Sequence, residues 1–253
     1  MKHKLVLLYE NQMELSGIEW TLKDKSAFSS YLRSFQQKDK EAWSRNILQT
    51  KLELLCIPTK IMYSIADEIF KGNYRAFLDL KIFDCYEEVA IYGKLVSRIK
   101  DFDEMAHYLT VYLDVMENWA HCDLLSFKID RSNKDKFLAL SEVYLRDRRT
   151  FVRRLGLMIL FQMVKDESVL SIIYDRLKKL EQENEYYVVM MAGWLLSECI
   201  IQYSDQTLEF ISQEKELNKK IVNKGIQKCR ESRRMSEIEK DQLPPYKRKS
   251  FPL

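Results

Sequence analysis

Apolar residues recur at intervals of three and four positions along most of the chain, with polar residues between them. This spacing places the apolar side chains on one helix face, so it predicts amphipathic helices joined by short loops. Glycine and proline, which the turns of sheet proteins require, number only 6 and 4 in 253 residues. The fold class is therefore predicted to be all-α. The predicted helices cover residues 26–38, 40–55, 59–71, 73–80, 85–100, 102–117, 118–129, 133–146, 149–165, 167–181, 186–203, 205–213 and 216–231.

A positional repeat runs through the second half of the chain. Trp119, Arg154 and Trp194 are separated by 35 and then 40 residues, and each lies in the second helix of a predicted pair. A helix pair of this length is the period of HEAT-like solenoids, in which second helices line the concave face. We therefore expect an α-solenoid (an α-α superhelix) of antiparallel helix pairs with a concave, basic groove. Its predicted parts are a poorly patterned segment at residues 1–25 that adds little to the core, a HEAT-like repeat domain at 26–231 and a basic C-terminal tail at 232–253.

Charge is nearly balanced over the whole chain but not along it. Lys and Arg number 41 against 38 Asp and Glu, a net charge of +3. Any affinity for nucleic acid must therefore come from the distribution of charge. From Lys219 to Lys249 there are eleven Lys and Arg residues against four acids, including Lys224 and Lys228. This local excess is the predicted electrostatic footprint for phosphates.

Cysteine usage and hydropathy indicate the compartment. The five cysteines are odd in number and widely spaced, without a CxxC pair, which argues against a disulfide framework or a zinc site. The longest uncharged stretch, residues 186–197, has 12 residues and is too short to span a bilayer. We therefore expect a soluble, cytoplasmic protein without a membrane partner.

Trp119 and Asp123 form the most informative pair in the sequence. Residues four apart lie on the same face of a helix, so the indole ring and the carboxylate can address one ligand. An aromatic plane beside an anion suits a planar cation, such as an alkylated DNA base. Asp123 is then the candidate to stabilise positive charge that develops on the sugar, and Arg154 is better suited to a phosphate than to proton transfer.

Five short motifs in order resemble the AlkD-like family of DNA alkylation repair proteins, which have HEAT-like repeat folds. The resemblance extends over roughly residues 27–245. The motifs are Ile57-Pro58-Thr59, Trp119-Ala120-His121-Cys122-Asp123, Phe151-Val152-Arg153-Arg154, Met191-Ala192-Gly193-Trp194-Leu195-Leu196-Ser197-Glu198 and Asn223-Lys224-Gly225-Ile226-Gln227-Lys228.

The resemblance implies a function and a set of site residues. Active members excise N3- and N7-alkylated purines as monofunctional glycosylases, without a metal or other cofactor. Trp119, Asp123 and Trp194 fall on the family's aromatic and acidic cleft residues, and Arg154 falls on its cleft arginine. The expected partner is double-stranded DNA containing alkylated bases, bound by a monomer. The candidate catalytic residues are Asp123 and Trp119, and the candidate DNA-binding residues are Trp194, Arg154, Arg153, Lys224 and Lys228.

Two departures from the family pattern place the chain in a divergent branch. The helix after Pro58 often carries an arginine in its first turns, whereas Ile61, Met62 and Tyr63 follow Lys60 here. The best-known active members also carry a second aromatic residue where this chain has Asn118.

Other interpretations of the same residues stay open. The tryptophans are also compatible with core positions, and Asp123 with a helix cap or an ion pair to Arg153 or Arg154. Gly156 and Gly193, in the middle of helices, indicate tight contacts between helices first and room for a DNA backbone second. The alternative functions are a non-catalytic relative that binds distorted DNA and a scaffold for protein–protein interaction.

Overall fold

A computed structural model describes residues 14–248 of the chain. Within this range the secondary structure is helical, without a β-strand; a single isolated bridge joins Glu53 and Cys85. The all-α prediction is confirmed. The fourteen α-helices of this range are α1 (Lys25–Arg33), α2 (Glu41–Leu48), α3 (Thr59–Lys71), α4 (Tyr74–Leu80), α5 (Tyr86–Val96), α6 (Phe102–Val115), α7 (Trp119–Asp123), α8 (Lys134–Leu145), α9 (Thr150–Gln162), α10 (Leu170–Lys178), α11 (Tyr186–Gln202), α12 (Ser204–Gln213), α13 (Lys219–Glu231) and α14 (Glu237–Asp241).

The chain divides into two compact units, Met1–Lys128 and Ile129–Leu253, which we call the N-terminal and C-terminal units. In the N-terminal unit, α5 packs against α3, α6 and α7. In the C-terminal unit, α9 packs against α8 and α11, and α11 packs in turn against α12 and α13. Each unit therefore has a row of alternate helices, α3–α5–α7 and α9–α11–α13, as expected of α-solenoid repeats. The predicted domain boundaries stay a prediction.

Glycines allow the helices of the C-terminal row to approach closely. A Cβ atom added at Gly193 of α11 would lie 2.7 Å from Cγ of Lys224 on α13. A Cβ at Gly225 would lie 3.3 Å from the carbonyl oxygen of Gly193, so the two glycines face each other across this contact. At Gly156 of α9, the added atom would lie 3.0 Å from the carbonyl oxygen of Ser141 on α8. Tight contact between helices, the first interpretation of Gly156 and Gly193, is thus supported.

The segment before α1 contributes more to the core than the sequence pattern suggests. Leu15 and Trp20 are both buried. The indole of Trp20 packs edge-on against the rings of Phe28 and Phe77, at centroid distances of 5.7 and 4.9 Å. The expectation that residues 1–25 add little to the core is therefore wrong for this part, because one aromatic residue without helical periodicity fills the space between two helices. Residues 1–13 of that segment and 249–253 of the predicted tail lie outside the described range.

Two predicted helices are much longer than the observed ones. The helix predicted at 40–55 ends at Leu48, where Gln49 takes a left-handed backbone conformation (φ 53°). The following extended segment is held by the buried carboxylate of Glu87, which accepts hydrogen bonds from the backbone N–H groups of Leu55 (3.1 Å) and Ile57 (3.2 Å). The helix predicted at 118–129 is a single turn, α7.

No helix in the described part of the chain is both long and apolar enough to cross a bilayer. All five cysteines are free. Cys85, Cys122, Cys199 and Cys229 are buried, whereas Cys56 is partly exposed.

Candidate functional site

The short helix α7 carries the predicted pair Trp119 and Asp123, and a side chain caps its start. Asn118 has an extended backbone, and its Oδ1 accepts hydrogen bonds from the backbone N–H groups of Ala120 (2.9 Å) and His121 (3.0 Å). An asparagine at this position satisfies N–H groups that have no partner inside the helix. The residue that departs from the family pattern therefore has a structural role here, as the cap that starts the helix.

His121 anchors α7 to the core of the N-terminal unit. Its ring stacks on Tyr86 at a centroid distance of 4.5 Å, and its Nε2 lies 3.3 Å from the Tyr86 carbonyl oxygen. Its Nδ1 accepts from the backbone N–H of Glu117 (3.5 Å), so the second nitrogen is the one positioned to donate. Burial lowers the pKa of His121 to about 4, and the imidazole is therefore neutral near pH 7.

A buried hydroxyl also holds α7 in place. Tyr112 of α6 donates a hydrogen bond from its hydroxyl to the carbonyl oxygen of His121, at 2.8 Å. Just before α7, the hydroxyl of the buried Thr50 hydrogen-bonds to the Glu117 carboxylate. Contacts from two distant parts of the sequence therefore fix a helix of only five residues.

Trp119 and Asp123 both lie outside the buried core and are half-buried. The Trp119 indole donates from Nε1 to the carbonyl oxygen of Ile47, at 3.2 Å. Because the two residues are one helical turn apart, the ring and the carboxylate lie on the same side of α7. Both side chains are therefore partly accessible on one helical turn, and their role in binding or catalysis stays a prediction.

In the C-terminal unit, Trp194 lies with two of the predicted lysines. The ring is half-buried and packs against Phe161 at a centroid distance of 4.5 Å. The Nζ of Lys228 lies over the ring, 5.5 Å from its centroid. The stem of Lys224 covers Gly193, the neighbour of Trp194, and its Nζ donates to Gln227 Oε1 at 2.8 Å. Trp194, Lys224 and Lys228 therefore form an aromatic–basic patch on α11 and α13.

The two candidate arginines are occupied by protein partners. Arg154 is only 5% exposed and donates to the Tyr187 carbonyl oxygen at 2.7 Å. Arg153 forms an ion pair with Glu183 (2.8 Å) and also donates to the carbonyl oxygen of Asp147 (3.0 Å). These contacts tie α9 to the segment that starts α11. They favour a structural role over a phosphate contact, so a phosphate role for either arginine stays a prediction.

Sequence reasoning missed a partly buried lysine in the N-terminal unit. Lys94 of α5 lies over the ring of Tyr63, with Nζ 4.5 Å from the ring centroid. Burial, and to a smaller extent the nearby charge of Lys128, lower the pKa of Lys94. The available signal was a single charge inside the apolar run from Ala90 to Val96. An anion would stabilise the partly buried ammonium group of Lys94, and the site therefore suits a phosphate.

The candidate residues are distributed over both units. Trp119 and Asp123 belong to the N-terminal unit, whereas Arg154, Trp194 and Lys228 belong to the C-terminal unit. That they meet in one groove stays a prediction from their spacing.

A comparison with protein families gives a match that includes every candidate residue. The sequence model of the family described as DNA alkylation repair enzyme matches residues 28–228. No curated protein and no solved structure matches the sequence significantly. The match covers well over half of the chain. The chain therefore belongs to the family of DNA alkylation repair enzymes.

Proposed function

We propose that this protein is a DNA glycosylase that binds duplex DNA and hydrolyses the N-glycosidic bond of N3- and N7-alkylated purines. The observation that carries the proposal is α7, a capped and anchored helical turn with Trp119 and Asp123 half-exposed on one side. A reacting group must be held by a rigid support to be effective. The cap from Asn118 and the buried hydrogen bond from Tyr112 supply that support.

The chemistry demands little from the protein. Alkylation at N3 or N7 makes the purine cationic, so the base leaves as a neutral molecule with the electron pair of the breaking C1′–N bond. Positive charge develops on the sugar, and a carboxylate near C1′ stabilises it electrostatically. Water then adds to C1′ and loses a proton, which Asp123 can accept. The net reaction is hydrolysis, without an oxidant or a metal.

The aromatic rings suit the charge of the lesion. An aromatic face attracts a cation by about 0.5–2 kcal/mol, with the larger value where water is excluded. In the N-terminal unit, the half-exposed ring of Trp119 would make such a contact. Trp194 supports the proposal in a second way, because its ring already holds a cation, the ammonium group of Lys228.

Neutralisation of DNA phosphates is assigned to the lysines rather than to the arginines. Lys228 and Lys224 are partly exposed beside Trp194, and Lys94 lies over Tyr63. A protein that neutralises several phosphates loses affinity steeply as salt rises. We therefore expect the logarithm of the binding constant for duplex DNA to fall linearly with the logarithm of salt concentration. A monomeric state and a cytoplasmic location complete the proposal.

The decisive experiment is the release of free 7-methylguanine from duplex DNA treated with N-methyl-N-nitrosourea. Asp123→Asn keeps the size of the side chain but removes its charge, and should slow release about 10²-fold, as for other single electrostatic contacts in active sites. The matched control is Asp135→Asn, at an exposed carboxylate of α8, which should release base at the rate of the unsubstituted protein. Equal rates for Asp123→Asn and the unsubstituted protein would refute the catalytic assignment.

A second candidate function is that of a non-catalytic relative that recognises distorted DNA through the same face. It is favoured by Asn118, because this side chain is 2% exposed and engaged in capping where active relatives carry an aromatic residue. Steep salt dependence of duplex binding without any base release would select this function. A lack of duplex binding would select the protein–protein scaffold instead.

A further inference from the structure

Among the described α-helices of eight or more residues, α2 is the one in which no residue is buried. Trp43 is 69% exposed and Ile47 is 39% exposed. The two residues are four apart, so they lie on the same face of α2. A large aromatic side chain exposed on a soluble protein together with an apolar neighbour is typical of an interaction surface.

The position of α2 relates this surface to the proposed active site. The carbonyl oxygen of Ile47 accepts the hydrogen bond from Nε1 of Trp119 at 3.2 Å. Thr50, two residues after the end of α2, is bonded to Glu117, which immediately precedes the capped turn. The exposed ring of Trp43 is therefore carried by a helix that contacts the candidate cleft tryptophan directly, within the same unit.

The surroundings of α2 are suited to a polyanion. Lys38 and Lys40 are exposed in the segment before the helix, with the exposed acid Asp39 between them, and Lys51 is exposed after it; within residues 14–248 no ion pair engages these lysines. The acid Glu41 is paired with Arg45 at 2.9 Å, so its charge is largely compensated. An exposed indole among lysines is the combination by which proteins hold single nucleobases: the ring stacks on the base, and the lysines neutralise the phosphates.

We infer that Trp43 stacks on a nucleobase exposed at the lesion when DNA binds. This inference rests on the proposed function. Trp43 thereby supplies the second aromatic surface near Trp119 that Asn118 does not supply. Stacking is sequence-tolerant, since every base has a π-face, and it is stronger for a cationic alkylated base. The occupant is a base of the DNA substrate rather than a protein, because exposed lysines lie in the chain both before and after α2.

The test compares Trp43→Ala and Trp43→Phe with the control Val143→Ala, which truncates an exposed apolar residue of α8. Affinity for alkylated duplex is measured at several salt concentrations. Trp43→Ala should weaken binding by about 5- to 150-fold, the range for loss of one stacked base. The salt dependence should keep its slope, because no phosphate contact is lost. Trp43→Phe should retain most of the affinity, and Val143→Ala should bind as the unsubstituted protein does.

The outcomes separate this inference from the proposed function. If the unsubstituted protein binds DNA with a steep salt slope and Trp43→Ala binds equally well, the inference is wrong and the proposed function stands. If Trp43→Ala and Val143→Ala lose affinity equally, the inference is also wrong. If sedimentation shows a dimer that Trp43→Ala dissociates without a change in DNA affinity, the surface serves self-association instead. If no form of the protein binds duplex DNA, both the proposed function and the inference fall.

Discussion

The hydroxyl of Tyr112 should stabilise the protein because it reaches the carbonyl oxygen of His121 in the middle of α7. Tyr112 is fully buried, and the hydrogen bond is 2.8 Å long. Tyr112→Phe removes the donor but leaves the ring, so the carbonyl loses a partner while its burial is nearly unchanged. A buried polar group left without its partner costs about 1–3 kcal/mol. We expect the free energy of unfolding to fall by about that amount.

Tyr92 provides a matched control in the same core. Its ring stacks on that of Tyr112 at a centroid distance of 6.2 Å, and it is 1% exposed. Its hydroxyl, however, is buried without a hydrogen-bond partner in the described part of the chain. Burial of an unpaired hydroxyl is unfavourable. Tyr92→Phe should therefore be neutral or stabilise the protein by about 1 kcal/mol.

Urea denaturation followed by far-UV circular dichroism measures both changes. The urea midpoint should fall for Tyr112→Phe and should rise or stay the same for Tyr92→Phe. The slope of the free energy of unfolding against urea concentration should be the same for both variants and the unsubstituted protein. If the two variants lose equal stability, the hydrogen-bonded hydroxyl of Tyr112 contributes no more than the unpaired hydroxyl of Tyr92. Our account of how α7 is held would then be wrong. If the proposed function is correct, Tyr112→Phe should also slow base release, whereas Tyr92→Phe should not.

Three further predictions concern pH, packing and charge. Burial lowers the pKa of His121 from 6.5 to about 4, so its neutral form stabilises the fold above pH 6.5 and this stability is lost as pH falls to about 4. The free energy of unfolding should fall by roughly 3 kcal/mol over this pH range, as measured by acid denaturation. The control His107→Gln, at an exposed histidine, should show the same fall. Gly193→Ala should lower the free energy of unfolding by about 1–2 kcal/mol, since overpacking against a lysine 2.7 Å away exceeds the gain in helix propensity. Gly17→Ala, whose added atom meets nothing nearer than 3.8 Å, should change stability by less than about 0.5 kcal/mol. Arg154→Ala should cost about 1.5–3 kcal/mol in urea denaturation and leave the salt slope of DNA binding unchanged; a stable variant with a shallower slope would instead assign Arg154 to a phosphate.

Helices bounded by strong local signals were predictable from the sequence. The predicted helix 59–71 coincides with α3, because Pro58 precedes it and Gly72 ends it. The long apolar run that begins at Tyr186 predicted α11 to within one residue. In both cases the residues that determine the boundary lie within the helix or next to it.

Boundaries that depend on distant partners were not predictable by periodicity. The helix predicted at 118–129 ends at Asp123, and beyond it Leu125 and Phe127 are buried while Ser126 and Lys128 are exposed. This alternation of apolar and polar residues was visible in the sequence, and it is typical of extended chain rather than helix. The end of α2 carried no such signal, because Gln49 is neither glycine nor asparagine.

The helical position of Trp119 and Asp123 was predictable, but the contacts that support this helix were not. The spacing of Trp119 and Asp123 was sufficient to place them on one side of a helix. The hydrogen bond from the indole of Trp119 to the carbonyl oxygen of Ile47 spans 72 positions of sequence, and no local pattern indicates it. Likewise, nothing near Arg154 shows that its guanidinium bonds to a carbonyl 33 residues away.

The burial of the cysteines affects how readily this protein reacts with the alkylating agents whose damage its family repairs. Thiolates, rather than thiols, react with electrophiles. Burial raises the pKa of both Cys199 and Cys229 to about 12, which keeps these side chains protonated and unreactive at neutral pH. An agent that methylates purines thus meets few reactive thiolates on this protein, and Cys56, the partly exposed cysteine, should be the first of the five to carry an adduct.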